Sequence, residues 1–183
     1  VDTFNYKIRK ISADGTVTTF AGNGTKEIRD GTGTEAGFKV IRCITVDPTG
    51  NLYVADDVGT VIRKITPAGV VTTLNIDSSS LDESLQFDEI DYLAADRTGN
   101  LYFTSFGSHC IFKLTGYTTL SILAGNNDPP GYADGSGNEA SFNEPTGIVV
   151  GRDGNIYVAD LNNHRIRKIT PAGVVTTLAG DGG

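Results

Sequence analysis

The chain is poor in the residues that make small cross-linked folds or reactive sites: two cysteines, two histidines and six prolines among 183 residues. Two cysteines are too few for a disulfide-built scaffold. Two histidines leave few options for a catalytic triad or a histidine-rich metal centre. No apolar run approaches the roughly 18 residues needed to cross a bilayer, and the first residues do not read as a basic-then-apolar signal segment. Positive charge is in deficit, with 15 Lys and Arg against 22 Asp and Glu and a net charge of −7. That balance argues against nucleic acid, whose phosphates must be neutralised by Lys and Arg. Glycine, by contrast, is abundant at 23 residues.

What is present is an internal repeat. Ile8-Arg9-Lys10-Ile11 returns as Ile62-Arg63-Lys64-Ile65, Ile111-Phe112-Lys113-Leu114 and Ile166-Arg167-Lys168-Ile169, at intervals of 54, 49 and 55 residues. Gly50-Asn51-Leu52-Tyr53, Gly99-Asn100-Leu101-Tyr102 and Gly154-Asn155-Ile156-Tyr157 keep the same beat, as do the pairs Phe38 and Ile44, Phe87 and Leu93, Phe142 and Ile148. Within a unit the period is that of strands. Ile44–Asp47, Leu52–Asp56, Val61–Thr66 and Val70–Leu74 are short and β-branched, and turn residues such as Pro48-Thr49-Gly50-Asn51 and Pro67-Ala68-Gly69 separate them. No helical spacing of apolar residues appears.

Four short strands in about 50 residues make one blade of a β-propeller, a sheet that must bury its faces against neighbours. The expected fold is all-β: antiparallel four-stranded blades, about fourteen strands or three and a half blades. Residues 1–22 form a half blade, 23–75 a blade, 76–125 a divergent blade and 126–183 a further blade. An open array exposes apolar faces and strand edges, so association with another copy or with the rest of a longer chain is expected to close the ring.

The stretch from Gly154 through Asp160, His164 and Arg167 to Ile169 resembles the NHL repeat. The stretch upstream, from Asp134-Gly135-Ser136-Gly137 through Phe142 to Ile148, resembles its bacterial form. The resemblance covers nearly the whole chain, most closely in the last unit and least in the middle one. It implies a propeller, six-bladed when complete, and no single function, because the family mixes binding modules with a few enzymes.

The repeats differ among themselves in informative ways. Asp56 and Arg63 stand seven apart, as do Asp160 and Arg167, while the middle unit has Ser105 and Phe112. Both members change together, which predicts a half-buried carboxylate–guanidinium pair whose one-sided loss would strand a charge. The Gly-rich linkers leading to Asp30-Gly31 and Asp134-Gly135 are replaced in the middle unit by an acidic, glycine-free stretch from Asn75 to Glu83.

Arg42, Asp91 and Thr146 stand at the start of the first strands, which line the channel of a propeller, and are the expected ligand-binding residues. The competing reading is a solvated lining. In the peptide-amidating lyase, which resembles NHL propellers, metal-binding histidines occupy the matching positions; Arg42, Asp91 and Thr146 are not histidines, so that activity is not expected. Sugar-lactone hydrolases need a Glu, Asn and Asp cage that cannot be assembled here, although Asp91 stands where one such residue would be wanted. His109 and His164 are expected to pack or cap locally at turns. Asp134–Pro145 fails the calcium-loop pattern, with Glu139 sixth and Pro145 twelfth. Cys43 and Cys110 fall in different blades and should remain thiols. The expectation is a non-enzymatic scaffold without metal or cofactor, binding a protein, peptide or polar small ligand. It is expected at the cell surface or outside the cell, neither inserted in a membrane nor bound to nucleic acid. The alternative is a propeller-type hydrolase or lyase with a metal ion at the channel mouth.

Overall fold

The computed structural model describes residues 1–79, 81, 89–126 and 129–182. Among them there is no α-helix. Sixteen strands form four antiparallel sheets, and the chain divides into two compact units, Val1–Leu74 and Asn75–Gly183.

In the first unit β1 (Ile8–Ile11) and β2 (Val17–Ala21) form a two-stranded sheet. A second sheet is built from β3 (Gly31–Thr32), β4 (Cys43–Val46), β5 (Leu52–Asp56), β6 (Val61–Ile65) and β7 (Val70–Thr73), in the order β3-β7-β6-β5-β4. In the second unit β8 (Tyr92–Ala95), β9 (Leu101–Ser105), β10 (Cys110–Thr115) and β11 (Thr119–Ala124) make a four-stranded meander. The remaining strands, β12 (Gly135–Ser136), β13 (Pro145–Val150), β14 (Ile156–Asp160), β15 (Arg165–Ile169) and β16 (Val174–Ala179), repeat the five-stranded order with β12 outside β16. These sheets are β-propeller blades. β13 packs against β8 and β9, so two consecutive blades of the second unit lie face against face.

Two strands exceed the fourteen read from the sequence. β3 and β12 come from the glycine-rich linkers and pair only through Gly31–Val71 and Thr32–Val70, and through Gly135–Val175 and Ser136–Val174. Two residues are too short to carry an alternating pattern, so they were invisible to periodicity. The middle blade, with its different linker, has no fifth strand among the described residues. Phe87, together with Ser80, Asp82 and Glu83 of the acidic stretch, lies outside those residues.

Many of the repeat's apolar markers are buried, although Ile11 and Ile166 stay exposed. Ile8, Ala21, Ala36, Phe38, Ile41, Val54, Ile65 and Val71 form the core of the first unit. Ala94, Tyr102, Ile111, Ala124, Ala140, Phe142, Ile148, Ile156, Val158, Ile169 and Val175 form that of the second. Fully burying a side chain such as Phe38 or Phe142 contributes about 1.5–3 kcal/mol. The ladder between the third and fourth strands slips at the same place in three sheets, between Ile8 and Arg9, Ile111 and Phe112, and Ile166 and Arg167. The bulge sets each isoleucine opposite an alanine: Ala21, Ala124 and Ala179.

Candidate functional site

The three predicted ligand-binding residues stand where the first strands begin. Arg42 is exposed and immediately precedes β4, its N–H donating to Ala55 O at 2.9 Å. In the second unit Asp91 immediately precedes β8 and Thr146 lies in β13, on strands that pack together. Asp91 is half-buried. Its Oδ2 accepts the Phe106 N–H at 2.8 Å, and its own N–H donates to Thr104 O at 3.1 Å. Thr146 Oγ1 reaches Ala159 O at 3.5 Å. At equivalent positions the repeat thus sets a cation, an anion and a hydroxyl on the same backbone scaffolding.

Asp56 and Arg63 meet at 3.2 Å, and Asp160 and Arg167 at 2.8 Å, with all four side chains inaccessible to solvent. The expected half-buried pair is fully buried, because the linker folds over it. Arg63 Nη1 also donates to Gly37 O, and Nη2 to Arg29 O and Asp30 Oδ1, each at 2.9 Å. Its guanidinium lies 5.2 Å from the Phe38 ring centre. Arg167 repeats the set with Ser141 O, Ala133 O, Asp134 Oδ1 and the Phe142 ring. Asp56 Oδ1 in turn accepts the N–H groups of Lys39, Val40 and Asp57. One arginine therefore clamps the second strand, the third strand and the linker in each of these blades. In the middle blade Phe112 instead stacks on Phe103, with centroids 5.1 Å apart, and the buried Ser105 hydroxyl has no hydrogen-bond partner among the described residues.

The second carboxylate of each clamp was missed by the sequence reading. Asp30 and Asp134 are each about half-exposed and also accept from Thr73 and Thr177. Burial pushes both carboxyls up. The hydrogen bonds from the threonines and the arginine outweigh it and hold them below the ordinary value. The signal was available, since these Asp-Gly linkers occur in the units that have the arginine and not in the unit that lacks it. Asp2 and Arg9 share the seven-residue spacing too, and they meet at 3.6 Å with both side chains about one-third exposed.

A second carboxylate network was also missed. Asp47 accepts from Thr49 N and Oγ1, Asn51 N and Nδ2 and the Tyr53 hydroxyl; Asp96 does the same with Thr98, Asn100 and Tyr102. Asp153 holds Asn155 and Tyr157. Burial opposes ionisation of Asp47 and Asp96, yet the Asn and Thr donors, joined at Asp47 by the Tyr53 hydroxyl, prevail and both carboxyls fall below the ordinary 3.8. The Tyr102 hydroxyl is pushed up to about 12 by burial and by the Asp96 charge.

His109 Nδ1 accepts the Glu144 N–H at 3.0 Å, and both His109 and His164 have left-handed backbone, φ 52°. Tyr6, their counterpart in the half blade, has φ 54°. The corresponding turn in the first complete blade differs, with Asp57 and Val58 rather than Thr60 at positive φ. Cys43 is half-buried and Cys110 buried; burial pushes the Cys110 thiol up to about 12. No cluster of three or more His, Cys, Asp or Glu side chains suited to a metal ion occurs among the described residues.

A family model described as NHL repeat matches residues 142–169, the span that runs from Phe142 through the Asp160–Arg167 clamp. The chain carries an NHL repeat and is similar to NHL repeat-containing proteins. It is 27% identical over 175 residues to human NHL repeat-containing protein 2, covering 84% of this chain and 24% of that protein. The NHL-repeat chain thus spans about a quarter of that relative's length. Among solved structures it resembles an auxiliary nutrient binding protein from Bacteroides thetaiotaomicron, with a TM-score of 0.70 and 20% identity over 98% of this chain and 43% of that one. It also resembles virginiamycin B lyase from Staphylococcus aureus, with a TM-score of 0.63 and 16% identity over 97% of this chain and 50% of that one. One neighbour is titled a binding protein and the other a lyase, so the shared propeller fold is compatible with either chemistry.

Proposed function

We propose that this NHL-repeat chain is a non-enzymatic binding scaffold whose strand starts, marked by Arg42, Asp91 and Thr146, meet a protein, a peptide or a polar small ligand. The observation that carries the reading is the division of labour among repeated positions. The framework groups recur with the same partners, Arg63 and Arg167 in their clamps, Asp47 and Asp96 in their turns. The strand starts instead change from cation to anion to hydroxyl. A surface that varies on a fixed support is how loops and rims acquire specificity. The perturbed carboxylates support the same side: Asp30, Asp47, Asp96 and Asp134 are all moved away from neutrality, the opposite of what a general acid or base working near pH 7 requires. The acidic balance argues against nucleic acid. The abundance of Gly, Thr and Asn with sparse cysteine supports a place at the cell surface or outside the cell. Association with another copy or with the rest of a longer chain, through exposed blade faces, belongs to the same proposal.

The test is selection of displayed peptides on the purified chain, with counter-selection on an Arg42→Ala, Asp91→Ala, Thr146→Ala variant. Peptides that bind the first and not the second support the scaffold; indifference to the three substitutions refutes their role. A rise in melting temperature with calcium, magnesium, manganese or zinc that chelator reverses, and that the triple variant loses, would favour the hydrolase or lyase reading instead.

A further inference from the structure

In both compact units a turn of one blade reaches across to the strand entry of the next. The turn ahead of β1 runs from Thr3 to Tyr6, and the turn between β9 and β10 runs from Phe106 to His109. Each closes on the same backbone hydrogen bond, Tyr6 N–H to Thr3 O at 3.2 Å and His109 N–H to Phe106 O at 3.4 Å. Each also ends in left-handed backbone, φ 54° at Tyr6 and 52° at His109. From this shared turn a side chain leaves its own sheet. Thr3 Oγ1 donates to Ile41 O at 2.9 Å, and His109 Nδ1 accepts the Glu144 N–H at 3.0 Å. The chemistry differs, a hydroxyl donor in one unit and an imidazole acceptor in the other, but the destination is the same. Ile41 stands one residue before Arg42, and Glu144 two before Thr146.

Both bonds fall on the backbone that carries the predicted ligand residues. The Ile41 carbonyl and the Arg42 N–H are two ends of one peptide group. Thr3 holds its oxygen, and its N–H donates to Ala55 O at 2.9 Å. In the second unit Pro145 alone separates Glu144 from Thr146, and its ring fixes φ, so the setting of Glu144 passes to Thr146 through one stiff residue. Thr146 Oγ1 lies 3.5 Å from Ala159 O, the counterpart of Ala55 O. The first complete blade shows what the Glu144 bond replaces. With Phe38 matched to Phe142, Lys39 and Val40 correspond to Asn143 and Glu144. Asp56 Oδ1 accepts the N–H groups of both Lys39 and Val40, whereas Asp160 Oδ1 accepts that of Asn143 and the Glu144 N–H turns to His109. Glu144 has φ 55° there, a left-handed backbone that residues other than glycine rarely take, and Val40 does not share it. Strain of this kind persists where the surroundings over-determine it, and it gathers at ligand clamps and binding sites.

We infer that Thr3 and His109 are positioning residues of the binding face: each sets, from the turn of one blade, the backbone that presents the ligand residue of the following blade, Arg42 or Thr146. Each ligand residue is then held twice, by the second strand of its own blade and by the turn of the blade before it. The inference rests on the scaffold reading for the role of Arg42 and Thr146, and it adds that the binding surface is assembled across pairs of consecutive blades.

The experiment compares two pairs of variants in the isotope-labelled full chain. His109→Gly and His109→Asn both suit left-handed backbone, so neither is expected to unfold the blade, but only asparagine brings an acceptor to the Glu144 N–H. Thr3→Val removes the hydroxyl, and Thr3→Ser keeps it. Amide hydrogen exchange should become roughly tenfold faster at Glu144 in His109→Gly and at Arg42 in Thr3→Val, and should return toward wild type in His109→Asn and Thr3→Ser. The second readout is affinity for the most enriched peptide from the displayed selection. His109→Gly should weaken it roughly tenfold, His109→Asn should preserve it, and the loss should vanish where Thr146 is already alanine. Unchanged exchange at both amides would overturn the inference. So would an asparagine variant that behaves like the glycine one, an affinity that His109→Gly leaves intact, or a loss that persists in the Thr146→Ala chain. A selection that yields no peptide counts against the scaffold reading alone, and the exchange rates then decide whether the two turns hold the strand entries.

Discussion

Removing Asp160 and Arg167 together should cost less than the sum of removing each alone. In the native blade the Arg167 guanidinium is inaccessible to solvent and donates to the carboxylates of Asp160 and Asp134 and to two backbone carbonyls. Asp160→Ala takes away the only one of those carboxylates that is itself fully buried, leaving the half-exposed Asp134 to balance the charge. Breaking one side of a buried pair costs about 3–5 kcal/mol. Arg167→Ala should cost a similar amount, because it strands Asp160 and uncovers the Phe142 ring. Independent effects would sum to about 6–10 kcal/mol, whereas groups in direct contact couple by about 0.5–3 kcal/mol, so the double variant should fall short of the sum by that margin. For a chain of this size each kcal/mol moves the melting temperature by about 2–4 °C, so a single variant should melt roughly 6–20 °C lower. The assay is urea unfolding followed by far-ultraviolet circular dichroism. Asp160→Asn serves as the control that keeps an acceptor for the Asn143 N–H while losing the charge. Single and double effects that add to within about 0.5 kcal/mol would refute the clamp as the coupled unit.

Acid should destabilise the chain through the Asp-x-Thr-Gly-Asn turns and the clamps. Asp30, Asp47, Asp96 and Asp134 have folded-state values below the ordinary 3.8, so their stabilisation is complete above that value and disappears as pH falls through the depressed ones. Melting temperature should therefore hold from neutrality to about pH 5 and drop below about pH 4, and Asp47→Asn should flatten the drop. Tyr53→Phe, which deletes the buried hydroxyl donating to Asp47 Oδ2 at 3.0 Å, should cost about 1–2 kcal/mol in urea unfolding, and no loss would deny the turn network its energetic role. A thiol reagent at neutral pH should label the half-buried Cys43 well before the buried Cys110, whose thiol stands near 12, and urea should equalise the two rates.

The sequence alone determined the four longer strands of each blade, the length of the repeat and the equivalence of positions. Alternation and turn chemistry act over a few residues, and a repeat prints them several times. It also placed Asp56 with Arg63 and Asp160 with Arg167, since a fixed spacing of seven across a tight turn brings the second and third strands side by side. It did not determine what covers those pairs. Asp30 and Asp134 lie 33 residues from their arginines, and Phe38 and Phe142 lie 25 away; only the linker's path back across the blade joins them. The same path made β3 and β12, too short for any period to reveal.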